Sequence, residues 1–91
     1  MDKEMQAQAN SLKAKHIRKQ AQQRLQSAIN TLQRNMYNME CLLERLEEAK
    51  DDAERAQVMN SAINHLVCNI QPNLRIDLLA QSQAELIQLG V

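Results

Sequence analysis

One glycine, Gly90, and one proline, Pro72, are the only such residues in the chain. A β-fold needs turn-forming residues every ~8–12 positions, so strands joined by tight turns are excluded and the chain reads as all-α. The core chemistry is narrow as well. Tyr37 is the single aromatic residue, so packing has to come from Leu, Ile, Val, Met and Ala. Compact cores draw much of their bulk from aromatic side chains; elongated helix pairs can do without them. A chain of 91 residues forms one domain at most and buries only about 60–65% of its unfolded surface. Self-assembly or a partner is therefore expected.

The strongest periodicity lies in Leu25–Leu46, "LQSAINTLQRNMYNMECLLERL". Leu25, Leu32, Met39 and Leu46 recur at sevens and are taken as a positions. Ala28, Asn35, Leu42 and Ala49 are then d, and Ile29, Met36 and Leu43 are e. An a, d and e stripe is wider than a two-stranded zipper seam and marks a bundle helix with more than one neighbour. Leu25, Ile29, Leu32, Asn35, Met36 and Met39 are the residues expected to carry self-association. Asn35 is the polar member that would set register.

After Leu46 the apolar phase changes. Asp51 followed three residues on by Glu54 resembles a capping box with Asp in place of Ser or Thr, so a helix–helix turn is expected around 49–52. A continuous helix to residue 70 is the competing reading, because no Gly or Pro enforces the break. In the hairpin, Ala56, Met59, Ile63, Leu66 and Ile70 should face the first helix. Leu43 would meet Val58 or Met59, Met39 would meet Ala62 or Ile63, Met36 would meet Leu66, and Leu32 would meet Ile70. Pro72 in "NIQPN" should end this second helix. A short third helix follows, apolar on two sides through Leu74, Ile76, Leu78, Leu79, Leu86, Ile87 and Leu89, with Gly90 as its stop. These seven aliphatics are the candidate partner-binding residues.

The expected architecture is thus a helical hairpin of a long and a shorter antiparallel helix plus a short C-terminal helix, assembling as a coiled-coil-like bundle. Residues 1–24 form a basic polar helical extension, 25–70 the hairpin and 71–91 the C-terminal segment.

Charge is balanced overall but polarised along the chain. Residues 1–35 hold seven Lys/Arg against two Asp/Glu, and residues 36–91 hold four against nine. The basic side chains Lys13, Lys15, Arg18, Lys19 and Arg24 are candidate nucleic-acid contacts. Basic residues ahead of a heptad run superficially resemble a basic-leucine-zipper protein, and Asn10 and Arg18 stand at the base-reading spacing. The pattern then fails. The zipper should open where the chain has Ala28, and Lys15 and His16 replace the small residues between Asn10 and Arg18. Ala7, Ala14 and Ala21 also fall at sevens in this segment.

His65 and Cys68 are spaced for half a metal site, but Cys41 and His16 are the only further His or Cys residues and do not complete it. No metal or cofactor is expected. The carboxylates Glu40, Glu44, Glu47, Glu48, Asp51, Asp52 and Glu54 are interleaved with Arg45, Lys50 and Arg55. They suit a solvated hairpin tip rather than acid–base chemistry, which needs a pocket. Two cysteines with no signal-peptide core, and no apolar run longer than three residues, give the expectation of a cytoplasmic protein that does not enter a membrane. The function expected is non-enzymatic: a chaperone, adaptor or inhibitor that binds another protein through apolar helix faces, as a homodimer or in a heteromeric complex. A nucleic-acid-associated regulator using the basic helix is the alternative.

Overall fold

The computed structural model describes residues 2–89, with side chains from residue 11 onward. Gly90 and the side chains of Ala7 and Asn10 lie outside the described residues. The chain is an all-α helical hairpin. Helix α1 spans Asp2–Glu48 and α2 spans Asp52–His65. A π-helical turn follows at Leu66–Ile70, then a single turn α3 at Gln71–Leu74, and α4 at Ile76–Leu89. Two compact units divide it, one of residues 1–26 with 76–91 and one of residues 27–75.

In the second unit the reversal occupies residues 49–51, as the capping pattern implied. The Asp51 carboxylate accepts the Glu54 amide at 2.8 Å, satisfying one of the amides that the start of a helix leaves without a partner. The Glu54 carboxylate reaches back to accept the Lys50 amide at 3.1 Å, one residue beyond the N-cap amide of the usual reciprocal box. Arg55 donates to the Ala49 carbonyl at 3.3 Å and pairs with Asp52 at 2.6 Å. The ion pair is exposed and contributes little by itself; the bond to Ala49 ties α2 to the end of α1.

Six side chains of α1 in this unit, Ala28, Thr31, Asn35, Met39, Leu42 and Leu46, and Ala49 just beyond it turn inward or are half-buried at heptad spacing. Their counterparts beyond the tip are Val58, Ala62, His65 and Ile70. Small and polar groups dominate this seam. Thr31 is only 2% exposed. Its hydroxyl lies 3.2 Å from the Ser27 carbonyl and 3.3 Å from the Asn73 carbonyl, which the end of α3 leaves without a helical partner. Asn35 donates to the Thr31 carbonyl at 2.7 Å.

Of the residues expected to face across the reversal, Met39, Val58, Ala62 and Ile70 turn inward or are half-buried, and the others are corrected. Met59, Ile63 and Leu66 are exposed, as are Leu32, Met36 and Leu43 across the reversal; Ala56 is exposed too. Val58 and Ala62 are the inward residues, one position earlier than Met59 and Ile63. One residue is a rotation of about 100° on an α-helix. Thr31 meets Asn73, three positions beyond Ile70, and the extra residue in the π-helical turn contributes to that offset.

Pro72 does not end the helical path. Gln71, ahead of it, has helical φ −56° and ψ −48°. A proline has no N–H for the carbonyl four residues back and its ring crowds that carbonyl. The chain instead widens one turn early, where the Gln71 amide bonds the Leu66 carbonyl five residues back. Pro72 then falls in the first turn of α3, where an N–H is dispensable. Asn73 caps the Asn69 carbonyl through its side-chain amide at 2.6 Å. The helical run stops at Arg75, which is left-handed at φ 51° and ψ 55°, a conformation that costs a non-glycine residue about 1–2 kcal/mol.

Replacing the capping carboxylate, Asp51→Ala, should lower stability by about 1 kcal/mol. Urea unfolding followed by circular dichroism at 222 nm reads the change as a shift in midpoint; an unchanged midpoint would mean that Asp51 does not hold the start of α2.

Candidate interaction surfaces

In the first unit, α1 turns Ile17 inward and half-buries Ala14, Ala21 and Arg24. The Arg24 guanidinium donates to the Ser82 hydroxyl at 2.7 Å and to the Leu78 carbonyl at 3.2 Å. Ser82 is 4% exposed. A charged donor with two acceptors is a strong contact, so Arg24 holds α4 and is not displayed to a partner. Lys13, Lys15, Arg18 and Lys19 are exposed.

Beside the Arg24–Ser82 contact runs an open groove of about 420 Å³. It is lined by Ala21 and Leu25 from α1 and by Leu79, Ser82, Gln83, Leu86 and Ile87 from α4. Leu25 is 54% and Ile87 66% exposed; Leu79 and Leu86 are half-buried. Of the seven aliphatics expected to bind a partner, the groove gathers Leu79, Leu86 and Ile87. Leu78 and Leu89 are half-buried elsewhere on α4, and Ile76 is exposed at its start. Leu74 is half-buried in the other unit.

In the second unit seven large side chains lie outside the seam. Ile29, Leu32, Met36 and Leu43 are exposed on α1, and Met59, Ile63 and Leu66 on the returning arm. Each sits one residue after a seam position (28, 31, 35, 42; 58, 62, 65), so each stripe is turned about 100° from the seam. The arms of a hairpin run in opposite senses, so equal rotations bring both stripes to the same side. The result is one apolar face two helices wide. Of the expected self-association residues in this unit, Ile29, Leu32 and Met36 lie on this face, while Asn35 and Met39 are half-buried toward the seam. Leu25, the sixth, belongs to the other unit.

A polar cleft accompanies the seam, with Ser27, Arg34, Asn35 and Asn69 among its lining residues. The Asn69 side-chain amide and His65 Nδ1 are hydrogen-bonded at 2.8 Å, which leaves Nε2 as the other polar atom of the ring. That Nε2 is buried with no hydrogen-bond partner among the described residues. Cys41 and Cys68 are free thiols, and among the described residues no three His, Cys, Asp or Glu side chains come together to hold a metal. Tyr37 hydrogen-bonds Cys41 one turn on, which raises its hydroxyl above the ordinary tyrosine value; the thiol's charge and slight desolvation add to the effect. No helix among the described residues is long and apolar enough to cross a membrane.

Ser82 and Thr31 are the two buried polar residues that sequence reading missed. A signal existed for the first: Ser82 lies four residues after Leu78 and four before Leu86, a polar residue at core spacing. A further one is the run from Ala56 to Leu74, which contains no Asp, Glu, Lys or Arg. Comparison with protein-family models, curated proteins and solved structures finds no match to the chain.

Ser82→Ala removes one of the two acceptors of Arg24 and should cost about 1–2 kcal/mol in urea unfolding. Adding Arg24→Leu should recover part of that loss, because the uncompensated donor is gone; strictly additive losses would show that the two residues do not interact.

Proposed function

We propose that the chain is a non-enzymatic protein-binding module, a chaperone, adaptor or inhibitor, that receives an apolar helix of another protein in the groove between α1 and α4. The observation that carries this reading is the placement of Leu25 and Ile87. Both are large aliphatics, more than half exposed, on either side of a groove whose floor is Leu79 and Leu86. Aliphatic walls with one amide, Gln83, among them suit the apolar stripe of an amphipathic helix, whose side chains at i, i+3 and i+4 would enter the groove. The groove's one hydroxyl, Ser82, accepts from the Arg24 guanidinium and its other lining residues are aliphatic apart from Gln83, a lining suited to binding.

Affinity capture from the native host with the full chain tests the reading. Ile87→Asp and Leu25→Asp place a charge in the groove at exposed positions that folding can tolerate. Both variants should lose at least tenfold of the captured partner, while Gln22→Ala, at an exposed polar position, retains it. Undiminished capture by both aspartate variants would remove the groove as the docking site. Capture of duplex nucleic acid that falls steeply with salt and is abolished by charge reversal at Lys15, Arg18 and Lys19 would favour the nucleic-acid alternative.

A further inference from the structure

The apolar face of residues 27–75 is too large to be left in water. Ile29, Leu32, Met36 and Leu43 with Met59, Ile63 and Leu66 expose roughly 700 Å², more than the ~300–600 Å² that the largest patch of a monomer usually presents. No large side chain among the described residues is fully buried within the chain, so this unit has not yet acquired the core that its sequence can supply.

We propose that a second copy of the chain closes this face, the two hairpins meeting about a two-fold axis as a four-helix arrangement. Two observations favour a second copy over a different protein. The first is area: two such faces together would bury roughly 1,400 Å², within the ~1,200–2,000 Å² of stable protein interfaces. The second is charge. A two-fold axis brings a residue close to its own copy, so charged groups near the axis meet like charges. The arm from Ala56 to Leu74 has no Asp, Glu, Lys or Arg on any side, and on α1 the face is uncharged from Ile29 to Met36, with Glu40 and Glu47, one residue after Met39 and Leu46, toward the tip. A two-fold axis near Leu32 and Ile63 therefore keeps these carboxylates away from their own copies, and the rest of the face offers no charge to select a charged partner. Asn60 and Asn64 flank Ile63 and are exposed, which supplies neutral amides for a rim.

This inference goes beyond the groove reading and is tested on the purified chain with no partner present. Sedimentation equilibrium at micromolar concentration should give twice the 10.4 kDa chain mass. Ile87→Asp, in the groove, should leave that mass unchanged. Leu32→Glu and Ile63→Glu put a carboxylate on the face and should each give the single-chain mass or an unfolded chain. Because unfolding would blur that result, a mixture of carbon-13-labelled and unlabelled wild-type chains supplies the second reading. Filtered NOE spectra should show contacts between copies from the Met36 and Met59 methyl groups. A folded monomer, or a dimer whose inter-copy contacts omit these methyls, overturns the proposal.

Discussion

Everything in this structure depends on a seam too narrow in side-chain volume to be a core. Around Thr31 the arms of the hairpin meet through Ala28, Thr31, Asn35, Val58 and Ala62. Hydrogen bonds to the Ser27 and Asn73 carbonyls take part of the role that interdigitated leucines would have. In the other unit, Ala14, Ala21, Arg24 and Ser82 behave in the same way, with a guanidinium reaching a hydroxyl in place of an apolar contact. Small residues let helices approach closely, and buried hydroxyls are tolerated because each has a partner. The consequence is that many of the large aliphatics, a class that carries most of the available hydrophobic free energy, are displaced outward by one residue, while Met39, Leu42, Leu46, Val58 and Ile70 stay in the seam.

That displacement links fold to function. A hairpin whose large side chains filled its own seam would have no reason to bind anything. Here the folded chain still holds much of its burial in reserve: the face around Leu32 and Ile63 in one unit, and the groove between Leu25 and Ile87 in the other. On the readings advanced above, the first is satisfied by a second copy and the second by another protein. The polar devices are local and complementary to this. Asp51 and Arg55 hold the tip, and the widened turn at Leu66–Ile70 carries the helical path past Pro72.

Much of the fold was legible in residue types and spacing. A single glycine and proline dictated helices, Asp51 and Glu54 placed the reversal, and the a, d and e pattern on α1 showed a stripe wider than a zipper. The rotational setting was not legible, because apolar content favoured Met59, Ile63 and Leu66 as the inward residues. Val58 and Ala62, the pairing alternatives, and His65 hold those places, while Ile70 is inward as expected; a close seam selects for size and hydrogen bonding rather than for hydrophobicity alone. The Pro72 rule also misplaced the end of the helical run: loss of an N–H was accommodated by a π-helical turn, and the stop moved to the left-handed Arg75. Of the candidate sites, Leu79, Leu86 and Ile87 were visible as a two-sided apolar segment. Their convergence with Leu25 depends on the Arg24–Ser82 contact, for which the sequence carries only the spacing of Ser82.

The central claim is that the chain's stability resides in surface it can bury only by association. The concentration dependence of thermal unfolding tests it most directly, because anything that binds only the folded chain raises the melting temperature by mass action. With the purified chain alone, raising the protein concentration about a hundredfold should increase Tm by several degrees. A melting temperature that stays constant across that range, with full helical content at the lowest concentration, would contradict the account.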